Sequence, residues 1–259
     1  MDFEEAAVAM IDEDQQDAIK ELFDKLADLY IMLIEKYMEV FGAENIAAVC
    51  IHDDWGHQRG IFFSPDTLRE MVVPYMKKVT DFIHSKGMIA ECHSCGKVDP
   101  LIPLYIEAGF QILECQMLID FDQAISAYGD RLMFHVSPDV PPEGASDEEQ
   151  IRAARAYVDK MIGYGHPFLM DNYYSNPSAL SKVFTDEVYR YSRQRLAERH
   201  GKAISPASSF MMGKGENYEI RNVQNQTYLM PGRFNADKPG RYERSGDHSD
   251  HLQFLSELR

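Results

Sequence analysis

The chain has 259 residues, 45% of them hydrophobic and 26% charged, an ordinary globular composition that excludes a disordered, collagen-like or disulfide-stapled protein. Its formal net charge of −16 repels a phosphate backbone and argues against nucleic acid as a partner. The acidity belongs to residues 1–200, because residues 201–259 hold eight basic and seven acidic side chains. No apolar run is long enough to span a bilayer, and the acidic start Met1-Asp2-Phe3-Glu4-Glu5 does not fit a signal peptide, so a cytoplasmic protein with no membrane partner is expected. In that compartment Cys50, Cys92, Cys95 and Cys115 read as thiols or metal ligands rather than disulfides.

In chain order, Ile19, Leu22, Phe23, Leu26, Leu29, Tyr30 and Leu33 fall at helical spacing and predict one long helix from Asp14 to Gly42. The apolar run 47–52 predicts a buried parallel strand. Ser64-Pro65-Asp66 opens a helix to about Ser85, and 88–95 is the next strand. The rhythm continues with a helix at 100–108, a strand at 110–115, a helix at 121–128 and a strand at 132–136. A capping-box helix follows at 146–163, then a strand at 167–171 and a helix at 176–200. Such alternation predicts an α/β fold with a parallel sheet, either doubly wound or a βα barrel. Beyond Gly201 periodicity disappears, and an irregular tail is expected, docked at most by Tyr228-Leu229-Met230 or by 252–258. The expected organisation is a helical segment 1–46, a βα domain 47–200 and a tail 201–259.

The carboxyl ends of βα strands form the functional face of such folds, and here they carry His52-Asp53-Asp54-Trp55, Glu91-Cys92-His93-Ser94-Cys95, Glu114-Cys115, His135 and Asp171. His93 and Cys95 are two apart on a strand, share a face and present nitrogen and sulfur, the donors that zinc prefers, with Glu91 just below. The same parity sends Cys92 to the opposite face. Either Glu114 or Cys115 can face the metal from the next strand, and Asp171 is a further candidate. Cys50 reads as a buried apolar residue. Asp53 and Asp54 position a polar substrate, act as acid and base, or cap the turn. Trp55 walls a pocket or plugs the core. His135 is a polar strand-end residue of either kind.

The order of Ile51-His-Asp-Asp-Trp-Gly, Ser64-Pro-Asp-Thr-Leu-Arg-Glu-Met, His93-Ser-Cys-Gly-Lys-Val, Leu101-Ile-Pro-Leu-Tyr-Ile-Glu-Ala-Gly and Tyr128-Gly-Asp-Arg-Leu-Met-Phe-His resembles the uroporphyrinogen decarboxylase family. Within it, the likeness is nearest to the corrinoid-dependent methyltransferase branch and covers 47–199, corresponding to the carboxyl-terminal part of the family fold. The resemblance implies a TIM-type βα barrel. In that branch a His-x-Cys joins a distal cysteine to hold zinc, which activates a thiol or another acceptor for attack on a corrinoid-bound methyl group. His93 and Cys95 match this motif, whereas 168–173 contain no cysteine. The related cobalamin-independent methionine synthases place a Glu on the following strand, a position that Glu114 matches.

The resulting expectation is a zinc-dependent methyltransferase with His93, Cys95 and Glu114 as ligands and Asp53 and Asp54 as catalytic residues. Trp55, His135 and Asp171 would bind substrate, and the partners would be a corrinoid protein or a small methyl acceptor. The alternatives are a tetrapyrrole decarboxylase using Asp53, Asp54 and His135, or a non-catalytic half-barrel binding subunit. Five strand segments fall short of the eight that close a barrel over about 250 residues. A partial barrel, completed by self-association or by another chain, is therefore expected.

Overall fold

The computed structural model describes residues 3–139, 141–170 and 181–200, together with two short strands near the end of the chain. The chain opens with α1 (Phe3–Ala9) and the long α2 (Gln16–Phe41), followed by β1 (Ala48–His52) and a small hairpin of β2 (Gly56–His57) and β3 (Gly60–Ile61). Then come α3 (Pro65–Met71), α4 (Val73–Ser85), β4 (Ile89–Ser94), α5 (Ile102–Glu107), β5 (Ile112–Cys115), α6 (Phe121–Tyr128) and β6 (Met133–Val136). The last elements are α7 (Asp147–Tyr164), β7 (Phe168–Met170), α8 (Lys182–His200), β8 (Arg233–Phe234) and β9 (Tyr242–Glu243).

The main sheet has five strands in the order β1-β4-β5-β6-β7, and the β1–β4, β4–β5 and β5–β6 pairs are parallel. Its strands follow one another in chain order, without the reversal that marks a doubly wound sheet. The predicted alternation is therefore present, and the winding is that of a βα barrel. The chain divides into two compact units, Met1–Val136 with His166–Leu169, and Ser137–Gly165 with Met170–Arg259.

Local chemistry sets the element ends in the first unit. Ser64 caps α3 by accepting the Thr67 N–H at 3.1 Å, ahead of Pro65 in the first turn. The single helix expected over 64–85 breaks at Val72, where φ is −120° and ψ −49°. Pro74, which lacks an N–H, restarts it in the first turn of α4. Neither α1 nor the β2–β3 hairpin was anticipated, since both are too short to show a period. On α2 only Ile19, Ala27 and Ile34 are buried, while Leu22, Leu26, Leu29 and Leu33 stay exposed. The apolar arc of this helix is wider than the surface that α3 and α4 offer it.

In the second unit, α7 starts with the predicted capping box of Ser146 and Glu149 and ends at Gly165 in the left-handed conformation. It pairs with α8 through Glu187, which holds Arg155 and Arg190 at 2.6 Å each. In the predicted tail, the described residues are the antiparallel β8–β9 pair. Tyr228-Leu229-Met230 and 252–258 lie outside the described residues.

Register divides the main sheet into two chemically distinct faces. Ile51 sits beside Cys92, Cys92 beside Leu113, and Leu113 beside Phe134. All four are at most 3% exposed. The alternate residues form the other row, Cys50 beside Glu91, His52 beside His93 and His93 beside Glu114. His135, one residue past Phe134, belongs to the same row.

Candidate metal centre

Polar groups converge where β1 and β4 end side by side. The His52 and His93 rings stack with centroids 4.6 Å apart. Beyond them the chain leaves β4 through Cys95 and Gly96. Gly96 has φ +95°, and a Cβ there would lie 2.4 Å from the backbone nitrogen of His57. Only glycine therefore lets the β2–β3 hairpin cross directly over this turn. Lys97 N–H donates to the His57 carbonyl at 3.0 Å, sealing the crossing. Trp55 N–H donates to Ser94 Oγ at 3.1 Å, and Cys95 N–H donates to Asp54 Oδ1 at 2.7 Å. These bonds hold Asp54 against Cys95.

Single donor atoms of Asp54, His93 and Cys95 lie within 4.8 Å of one another. Cys95 Sγ is 3.5 Å from His93 Nε2, and the other ring nitrogen, Nδ1, is 3.2 Å from Glu114 Oε2. Zinc bonds of about 2.0–2.3 Å in a tetrahedron separate ligand atoms by about 3.3–3.8 Å. The His93–Cys95 spacing falls inside that range, and Asp54 needs to close by about 1 Å at most. A thiolate, an imidazole and a carboxylate are also a donor set that zinc accepts. Asp54 is exposed, Cys95 half-buried and His93 buried, so the cluster is open on the Asp54 side.

A second layer lies on the same face. Donor atoms of Cys50, Glu91 and Glu114 also fall within 4.8 Å of one another, and His135 Nε2 is 3.3 Å from Glu91 Oε1. Glu91, Glu114 and His135 are at most 2% exposed. Burial, reinforced by the two glutamates, pushes the Cys50 thiol well above its ordinary range. Burial also pulls the His135 imidazole down to about 4, against the opposing pull of Glu114, so His135 is neutral at pH 7. Asp53 is raised above the usual carboxylate range by burial and by Asp54, and lowered in part by the Trp55 indole N–H donating to it at 2.8 Å.

The structure brings together His93 and Cys95, on the shared face that strand parity predicted, and sends Cys92 to the other side. Of the two candidates on β5, Glu114 shares the face of His93, while Cys115 pairs in register with Ser94. Glu114 meets the Nδ1 edge of His93, whereas Cys95 Sγ stands at the Nε2 edge, with Asp54 in the same cluster. Trp55 combines both of its expected roles: it is 3% exposed, stacks on Tyr105 at 4.2 Å with 12° between planes, and holds Asp53. His135 lies in the buried layer beside Glu91. Asp171 lies outside the described residues. Cys50, read from sequence as an apolar residue, instead joins the polar face. Asp54, expected as a catalytic residue, lies within reach of His93 and Cys95, and His52-x-Asp54 parallels His93-x-Cys95 in the sequence. Register pairing of the two strands turns that parallel into proximity.

A family model for uroporphyrinogen decarboxylase (URO-D) matches residues 1–180, well over half of the chain. The chain belongs to the URO-D family. No curated protein matches it. The URO-D fold is a βα barrel, and the five-stranded parallel arc is the part of it present among the described residues. Because the URO-D match begins at residue 1, α1 and α2 lie within it. Among the described residues no helix is long and apolar enough to cross a membrane.

Proposed function

We infer that this URO-D protein is a zinc-dependent methyltransferase that moves a methyl group between a corrinoid carried on a partner protein and a small acceptor. The observation that carries this reading is the convergence of Asp54, His93 and Cys95 within 4.8 Å, with Glu114 on the far nitrogen of His93. Three protein donors with an open side are the pattern of catalytic rather than structural zinc sites. When bound, zinc would lower the pKa of an acceptor thiol and hold it as a thiolate.

The residues around the cluster prepare that site. Glu114 Oε2 stands 3.2 Å from His93 Nδ1, so its charge favours the tautomer with the proton on Nδ1 and the Nε2 lone pair available to a metal, the arrangement by which carboxylates orient metal-binding imidazoles. The Cys95 N–H fixes one oxygen of Asp54. Exposure of Asp54 leaves the acceptor side accessible to a partner-borne methyl group.

The test is metal analysis of full-length protein purified without chelators, beside His93→Ala and Cys95→Ala, combined with an assay of methyl transfer from methylcobalamin to a thiol. About one zinc per chain in the wild type, lost in both variants together with transfer, is the expected result. A metal-free wild type, or transfer that survives both substitutions, would overturn the reading.

A further inference from the structure

Asp54 also lines a half-open cavity of about 300 Å³ bounded by α1, α2, α3, α4 and the end of β1. That volume matches the lower range of small-molecule sites. Its walls include the aromatic rings of Phe23, Tyr30, Trp55, Phe62, Phe63 and Tyr75, and the only charged residues lining it among the described residues are Asp53 and Asp54. The Phe3 ring of α1 rests 5.0 Å from that of Phe62 and closes the outer wall. Neither aspartate forms an ion pair with Lys or Arg among the described residues. Asp53 accepts from the Trp55 indole and Asp54 from the Cys95 backbone, which leaves carboxylate charge facing an apolar, aromatic space.

We propose that this cavity binds a substituted ammonium ion, with its charge against Asp53 and Asp54 and its alkyl groups among the aromatic rings. Carboxylates supply the counter-charge and ring faces attract the cationic alkyl groups, whereas an anion meets two like charges and a neutral ligand forgoes both attractions. Asp54 belongs to both sites, so the charged head sits next to the metal cluster while the apolar body lies away from it. This inference goes beyond the methyl-transfer reading and does not depend on metal.

The test is calorimetric titration of the full chain, stripped with chelator and again loaded with zinc. The probes are choline, its neutral carbon isostere 3,3-dimethylbutan-1-ol, and benzyltrimethylammonium, which fills more of the space. Choline is expected to bind at least about tenfold more tightly than the isostere in the stripped protein, and benzyltrimethylammonium more tightly still. In Asp53→Asn, which retains an acceptor for the Trp55 indole, the preference should shrink to within about threefold. Equal binding of choline and its isostere by the wild type, or no binding of any probe, would overturn the proposal. Because the stripped protein is measured, either outcome is independent of whether zinc binds.

Discussion

The two faces of one sheet are made from the same strands yet obey different rules. Cys92 and Cys50, on adjacent strands, show the contrast with a single residue type. Cys92 is fully buried in an apolar row with Ile51, Leu113 and Phe134. Cys50 shares its face with two glutamates and three histidines. One face is organised by packing, where volume decides stability, and the other by donor atoms, where charge and hydrogen bonding decide what can bind. A one-residue register shift would exchange the two sets and destroy both.

The largest effects should come from neighbours on β5. Leu113→Ala is expected to lower stability by about 2–5 kcal/mol through the cavity left in the apolar face, with zinc stoichiometry retained in the folded fraction. Glu114→Gln, one residue away, should change apo stability by less than about 1 kcal/mol while weakening zinc affinity about 10–100-fold. Urea unfolding and competitive metal titration would separate the two. Complete loss of zinc binding in Glu114→Gln would make Glu114 a direct ligand instead of the group that orients His93.

Within the main sheet, acid should affect the polar face. His135 holds fewer protons in the folded state than its ordinary value of 6.5 allows, because its folded value is about 4. Its contribution to stability is therefore complete above about pH 6.5 and falls as pH drops through the window toward 4, by up to about 3 kcal/mol in all. His135→Asn is expected to flatten this part of the urea-midpoint profile, and an equally steep profile in the variant would count against the assignment. The smallest contrast is between cysteines. Cys92→Ala should cost about 1 kcal/mol and Cys50→Ala less than about 0.5 kcal/mol, measured by the same unfolding curves.

Much of the sheet was legible because its signals are local. The capping box at Ser146, the Ser64-Pro65 start and the apolar runs mark where elements begin and end. Alternation along β4 also separates His93 from Cys92 without any tertiary knowledge. The rest depends on pairing between strands. Asp54 meets Cys95, and Cys50 meets Glu91 and Glu114, only because β1 lies in a particular register beside β4, and no spacing within either segment encodes that register. The break at Val72 was hidden because the apolar period runs on across it. The leucines of α2 that stay exposed fall on the predicted apolar face because periodicity reports such a face without reporting whether a neighbour covers it.

Trp55 is the only tryptophan in the chain, and it lines the aromatic cavity beside the two acids, stacked on Tyr105 and bonded to Asp53. Tryptophan emission from this protein therefore comes from a single indole in the cavity wall. Its wavelength and quenching report the polarity of that wall directly, so the native chain carries its own fluorescent probe of the region beside Asp54, His93 and Cys95.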